Sequence, residues 1–118
     1  MGPITDLAQK KCQPCEGTGK PLDLIQAKEY LQKVTNWQLH NNGKMIYKEF
    51  IMKNFTSAID LVNRVAKIAE AENHHPDIHL TGYRNVRVEL STHAIGGLSE
   101  NDFIEAAKIN ELPAELKR

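Results

Sequence analysis

The feature that most constrains the fold is a long amphipathic stripe in the middle of the chain. Apolar side chains recur there every three or four positions, which is the spacing of one face of an α-helix. The stripe consists of Phe55, Ala58, Ile59, Val62, Val65, Ala66 and Ala69. Asn54 is a favourable N-cap, and the pattern stops near Asn73, before Pro76, which cannot continue a helix. Because this helix has an apolar face, a second layer must cover it.

Strand patterns on both sides of that helix supply the second layer. Val86, Val88 and Leu90 alternate with polar residues, which is typical of a strand buried on one face. Residues 77–82, immediately before them, are compatible with a loop or a short strand. The alternation indicates a sheet with one face against the helix and one face towards solvent.

A hairpin is predicted ahead of the long helix. Residues 36–40 and 44–52 are strand candidates, and Asn41-Asn42-Gly43 between them tolerates positive φ. The second strand carries apolar groups on both faces, namely Ile46, Phe50 and Met52 on one and Met45, Tyr47 and Ile51 on the other. We therefore expect a helix to cover one face and another subunit to cover the second.

Two shorter helices are marked by capping-box-like pairs. Asp23 with Gln26 begins the first, and Ser99 with Asp102 begins the last. The predicted fold is therefore α+β, a small two-layer sandwich in which three helices pack on one face of a four-stranded antiparallel sheet. Residues 1–21 are predicted to be a loosely ordered N-terminal leader, and residues 22–118 the single domain.

Composition excludes several classes of protein. Fifteen basic residues balance fifteen acidic ones, so the chain has no global attraction to nucleic acid or to an anionic membrane. No apolar stretch approaches the roughly 20 residues needed to cross a bilayer, and the N-terminus lacks an apolar signal segment. We expect a cytoplasmic protein that binds neither nucleic acid nor membrane.

The two cysteines, Cys12 and Cys15, form a C-x-x-C pair in the leader. Two thiolates are half of a tetrahedral zinc site, and the sequence has no second pair to complete it. The preferred interpretation is two free thiols, and a zinc ion shared between subunits is the alternative.

Histidines cluster where the long helix ends. His74, His75 and His79 fall within six residues, and His93 follows the last strand. Metal binding is one interpretation, with Glu70, Glu72 and Asp77 as further candidate ligands, although no helical H-E-x-x-H is present. Acid/base catalysis without a metal is the other, because both protonation states of imidazole are accessible near neutral pH.

These residues carry a resemblance to a known family. The spacing Glu70-x3-His74-His75-Pro76-x6-Tyr83-x9-His93-x8-Asp102 resembles the signature of the pterin-4a-carbinolamine dehydratases. Trp37 before the hairpin also matches an aromatic residue near the family's site. The resemblance covers about residues 21 to 112 and leaves the leader outside.

The resemblance implies a function for each of these positions. Family members dehydrate 4a-hydroxytetrahydropterin to quinonoid dihydropterin during tetrahydrobiopterin recycling, and they require no metal or organic cofactor. By resemblance, His74 and His93 are the acid/base pair and His75 helps to hold the pterin. Supporting or substrate-binding roles fall to Glu70, Asp102, Trp37 and Pro76.

The resemblance also implies self-association, as a homodimer or homotetramer. Some relatives double as dimerisation cofactors of a homeodomain transcription factor. A non-catalytic module that binds a pterin or a protein partner is therefore the alternative to an enzyme.

Overall fold

The protein is described from a computed structural model over residues 7–13, 19–40 and 42–117. Cys15 and Asn41 lie outside these described residues. The helices are Leu24–Leu31 (α1), Phe55–Glu72 (α2) and Glu100–Asn110 (α3), with a 3-10 turn at His93–Ile95; the strands are Gln38–His40 (β1), Met45–Ile51 (β2), Asp77–Thr81 (β3) and Asn85–Leu90 (β4). Residues 7–9 are also helical. Within the described ranges, no helix has the length and apolar character needed to cross a membrane.

The four strands form one antiparallel sheet in the order β1-β2-β4-β3. The predicted fold class is confirmed, and the segment that the sequence left open between loop and strand is strand β3 at one edge. Asn42 and Gly43 adopt the positive φ values that the predicted hairpin requires, at 57° and 81°. Strands β3 and β4 pair directly, with Asp77 opposite Glu89. The beginning of β3 and the end of β4 therefore lie at the same end of the sheet.

One face of the sheet forms the core with the helices. Its buried side chains include Ile46 and Phe50 of β2, and Val86, Val88 and Leu90 of β4. The alternation predicted for β4 is thus confirmed. These side chains pack with buried residues of α2 and α3, among them Leu61, Val65, Phe103 and Ile104.

The opposite face of the sheet is largely polar. Tyr47 is half-buried there because the Arg87 guanidinium lies 3.9 Å from the centre of its ring. Ile51, on the same face, is exposed. The subunit predicted to cover this face stays a prediction.

The predicted helix starts are confirmed by their hydrogen bonds. Asp23 and Gln26 form a capping box at α1, and Ser99 and Asp102 form one at α3. Asn54 caps α2, with Ser57 as its partner. Reciprocal bonds of this kind satisfy the free N–H groups of a first helical turn, so they fix where each helix begins.

The described part of the leader packs against the domain. Leu7 is buried, the Lys108 ammonium donates to the Ala8 carbonyl at 2.7 Å, and Asn101 exchanges two hydrogen bonds with Gln13. The Cys12 N–H donates to Glu72 at 2.8 Å. Residues 7–13, predicted to belong to a loosely ordered leader, thus lie across the end of α2 and one side of α3. The boundary predicted at residues 21 and 22 stays a prediction.

Candidate active site

The histidine pair owes its position to the way in which α2 ends. Asn73 adopts the left-handed conformation, with φ 53° and ψ 42°. Its N–H donates to the Glu70 carbonyl, and the N–H of His74 donates to the Ala69 carbonyl at 3.2 Å. These two bonds define a Schellman motif, which closes a helix and turns the chain sharply. The turn explains how His74 and His75, although adjacent, meet different carboxylates.

His74 is paired with a buried carboxylate. Its Nε2 lies 2.7 Å from Oδ1 of Asp102, and Asp102 is fully buried at the start of α3. The other oxygen of Asp102 accepts from the Thr92 hydroxyl at 2.8 Å and from the Ser99 N–H at 2.9 Å. Three donors therefore hold the carboxylate in one orientation, as a buried acidic group requires.

This pairing leaves one ring nitrogen of His74 available for chemistry. An ionised carboxylate can only accept, so Nε2 carries the proton that it donates to Asp102 and Nδ1 remains for proton exchange. Burial by itself lowers the pKa of His74. The hydrogen bond and charge of Asp102, together with the charge of Glu105, outweigh burial and raise that pKa above its ordinary value. His74 is therefore suited to hold a proton near neutral pH.

His75 makes a second, exposed pair. Its Nε2 lies 2.6 Å from Oε2 of Glu70, five residues earlier in the last turns of α2. Both side chains are more than half exposed. The contact orients the imidazole at the surface, where it remains open to a ligand.

His93 lies at the same end of the sheet, in the 3-10 turn that follows β4. Gly96 closes this turn with φ 68°, and Thr92 pairs with Gly97 across it. His93 is exposed and lines a cavity together with Asp77 and residues of the same loop. Because Asp77 follows the His74-His75-Pro76 segment directly, the antiparallel β3–β4 pairing brings the three histidines to one region. Thr92 links His93 to the Asp102–His74 pair.

The other predicted residues divide between this region and the core. Pro76 lies between His75 and β3, at the site. Trp37 is buried, and its Nε1 donates to Asn110 at 3.0 Å, at the opposite end of α3 from Asp102. Tyr83 lies exposed in the β3–β4 turn, at the far end of the hairpin from the histidines. The role predicted for Trp37 stays a prediction.

Sequence reasoning missed three residues that the structure places at the site. Thr92 and Ser99 hold Asp102, and Ser99 was predicted only as a helix cap. Glu105 is fully buried on α3, one turn after Asp102. A signal for Glu105 was present, because it interrupts the apolar run Phe103-Ile104-Glu105-Ala106-Ala107.

Cys12 lies next to Glu72, close to this site, and its thiol is less acidic than an ordinary cysteine thiol. Burial, followed by the charges of Glu105 and Glu72, raises its pKa to about 12, so the thiol stays protonated at neutral pH. Over the described ranges, no three His, Cys, Asp or Glu side chains are grouped so that they could hold a metal ion. Cys15 lies outside the described residues, so the interpretation of the C-x-x-C pair as two free thiols stays a prediction.

Comparison with known proteins identifies the family. The family model described as pterin 4 alpha carbinolamine dehydratase matches residues 20–112. A protein from Arabidopsis thaliana named pterin-4-alpha-carbinolamine dehydratase 2, mitochondrial, is 49% identical over 95% of this chain, which spans 62% of that relative. A putative pterin-4-alpha-carbinolamine dehydratase from Halorhodospira halophila is 49% identical over 92% of this chain and 98% of its own length.

Solved structures agree with this result. A transcriptional coactivator/pterin dehydratase from Brucella melitensis superposes with a TM-score of 0.71 at 31% identity, over 77% of this chain and 96% of its own. A pterin dehydratase-like protein described as a RuBisCO assembly factor shares the fold at 20% identity, with a TM-score of 0.54 over 64% of this chain and 86% of its own. The family model and the identity to full-length relatives together confirm the predicted assignment to a family of enzymes: the chain belongs to the pterin 4 alpha carbinolamine dehydratase family.

Proposed function

We propose that this protein dehydrates 4a-hydroxytetrahydrobiopterin to quinonoid dihydropterin in tetrahydrobiopterin recycling, by histidine acid/base catalysis without a metal. Loss of water from a carbinolamine requires one proton delivered to the departing hydroxyl and one removed from a ring nitrogen. The nitrogen lone pair supplies much of the driving force. General acid/base assistance, typically about 10²- to 10⁴-fold, therefore suffices.

His74 and His93 are assigned the two proton transfers. His74 holds a proton because Asp102 raises its pKa, and its Nδ1 is the nitrogen left to exchange it. His93 is exposed and lines the neighbouring cavity. His75, oriented by Glu70, is assigned to binding the polar edge of the pterin.

The observation that carries this proposal is the 2.7 Å contact between His74 and the buried Asp102. A fully buried carboxylate costs free energy unless it is paired. Here its three donors include the imidazole assigned to catalysis, and they leave the other ring nitrogen of His74 for proton transfer.

Stopped-flow ultraviolet absorbance of 4a-hydroxytetrahydropterin dehydration, after exhaustive chelation, tests the proposal. We expect the wild-type protein to accelerate the reaction and the His74→Ala/His93→Ala variant to lose the acceleration. His79→Ala is the matched control, since His79 lies on the polar sheet face against Glu89 and should retain activity. A wild-type rate equal to the spontaneous rate, or a chelated protein that regains activity only with metal, would refute the mechanism.

The second candidate function is a non-catalytic module that binds a pterin or a protein partner. The observation that favours it is the Brucella melitensis neighbour, whose description names a transcriptional coactivator alongside a pterin dehydratase. Pterin binding without any rate acceleration would support this candidate over the enzyme. A homodimer or homotetramer and a cytoplasmic location complete the proposal, although the Arabidopsis relative is named mitochondrial.

A further inference from the structure

A buried carboxyl group lies behind the His74–Asp102 pair. Glu105 follows Asp102 by three residues on α3, so their side chains emerge from the same side of the helix. Its exposed fraction is 0%, and neither of its carboxyl oxygens has a hydrogen-bond partner among the described residues. A buried acid without a partner is expensive to keep ionised. An unsatisfied group of this kind therefore calls for an explanation.

Ionisable groups surround Glu105 from each element packed around it. The leader contributes the Cys12 thiol, α2 contributes Glu72, and the turn after α2 contributes His74. On α3 itself the neighbours are Asp102 and Lys108.

Among the described residues, these neighbours make their hydrogen bonds and close ion pairs with groups other than Glu105. Glu72 accepts from the Cys12 N–H and has the Lys108 ammonium within 3.7 Å. Asp102 is held by three donors. Within the described part of the chain, Glu105 is thus the one carboxyl group of this cluster that accepts no hydrogen bond and forms no close ion pair.

The surroundings of Glu105 favour its neutral form. Burial is the largest influence and raises the pKa of Glu105 to about 8, with the nearby negative charges of Asp102 and Glu72 acting in the same direction. The charges of His74 and Lys108 oppose them. The same charge interaction between Glu105 and His74 raises the pKa of His74. Two groups coupled in this way titrate together.

We propose that Glu105 is a positioning residue for the proton of His74: when Glu105 ionises, its negative charge strengthens the hold of His74 on that proton and extends activity to higher pH. The predicted effect on the dehydration rate rests on the proposed function. The charge interaction between Glu105 and His74 does not, because it is a property of the protein without substrate. At pH values below the pKa of Glu105, Asp102 is the one negative charge of this pair of carboxyl groups that favours the imidazolium form of His74. As Glu105 ionises, a second negative charge favours it, and His74 remains a proton donor at higher pH.

The direct test is the titration of the His74 imidazole, followed by nitrogen-15 NMR and assigned with the His74→Ala variant. In Glu105→Gln, which cannot ionise, we expect the midpoint to fall by roughly half a pH unit or more. Glu105→Leu should give the same shift and keeps the inference testable if the amide variant does not fold. Glu111→Gln, which removes an exposed carboxylate just beyond α3, is the matched control and should leave the midpoint unchanged.

The pH dependence of kcat/KM completes the test. We expect its alkaline limb to move to lower pH in both Glu105 variants, in step with the His74 midpoint. An unchanged His74 midpoint overturns the inference whatever the activity. A shifted midpoint with an unmoved kcat/KM profile in active protein overturns the positioning role. A shifted midpoint in protein that shows no dehydration supports the coupling and overturns the proposed function instead.

Discussion

Two histidine–carboxylate pairs with nearly equal contact distances involve the neighbouring residues His74 and His75. They differ in how exposed their side chains are and in which parts of the chain they join. His74 and Asp102 are 2.7 Å apart and their side chains are 12% and 0% exposed. His75 and Glu70 are 2.6 Å apart and are 55% and 78% exposed. The first pair joins the segment after α2 to the start of α3, whereas the second joins that segment to the last turn of α2.

The contrast shows that distance alone does not determine what an ion pair contributes. Water and salt screen an exposed pair, so it typically contributes less than about 1 kcal/mol. A buried pair is screened much less, and removal of one partner leaves the other charge without compensation. We therefore expect the function and the pH response to depend on the His74 pair and to depend little on the Glu70 contact.

The largest expected effect is the loss of the buried carboxylate. Asp102→Asn removes the negative charge that helps to keep His74 protonated, and it leaves one acceptor oxygen where the carboxylate uses two to hold His74, Thr92 and Ser99. We expect kcat/KM for dehydration to fall about 100-fold or more, within the range of general acid/base assistance. Steady-state assays over a range of pH give the measurement.

Glu70→Gln makes the same carboxylate-to-amide change in the exposed pair and is the matched control. We expect less than about a fivefold change in kcat/KM, because the exposed contact is screened and adds little to the placement of His75. Equal losses of kcat/KM in Asp102→Asn and Glu70→Gln would contradict the expected difference between the two pairs. They would show that the reaction depends on His75 as strongly as on His74.

A second effect concerns the pH dependence of stability. Glu105 has a folded-state pKa of about 8 against an ordinary value of 4.5, so folding takes up a proton between those two values. The unfolding free energy should therefore fall as pH rises from 4.5 towards 8, by at most about 1.4 kcal/mol per pH unit. His74 adds a slope of the same sign. Its raised pKa contributes stability below the ordinary histidine value, which is lost as pH rises through the raised value.

Urea unfolding of Glu105→Leu at several pH values between 5 and 8 measures the Glu105 contribution. We expect this variant to retain only the smaller slope due to His74 and to exceed wild type in stability at the alkaline end. Glu111→Leu should keep the full wild-type slope. An identical slope in wild type and Glu105→Leu would show that Glu105 ionises normally in the folded protein.

Local sequence patterns predicted most of the architecture, because the causes of that architecture are local. The reciprocal Asp23–Gln26 bonds depend on residues three positions apart, and the end of α2 follows from Asn73 and Pro76. The alternation in β4 likewise marks its buried face. Sheet order is different: β2 pairs with β4 across the whole of α2, and no local pattern specifies that pairing.

The site was predicted less completely because its support comes from distant parts of the chain. In the sequence, Phe103, Ile104 and Ala107 mark an apolar side of α3, and Glu105 interrupts this run without any local sign that it is buried. In the structure the leader covers one side of α3, where Asn101 bonds with Gln13 and Lys108 with Ala8. The contacts join positions 88 to 100 residues apart. Glu105 is buried by a segment that is distant in the sequence. The periodicity of α3 alone therefore cannot predict this burial.

The smallest expected effect is the contribution of the exposed pair to stability. A double-mutant cycle of Glu70→Ala and His75→Ala should give a coupling free energy below about 1 kcal/mol. High salt should reduce it further, because both side chains face solvent. The matching cycle of Asp102→Ala and His74→Ala should give a larger coupling that salt changes little. A salt-insensitive coupling of about 2 kcal/mol or more for the Glu70 pair would mean that solvent does not screen it, and burial would then no longer explain the difference between the two pairs.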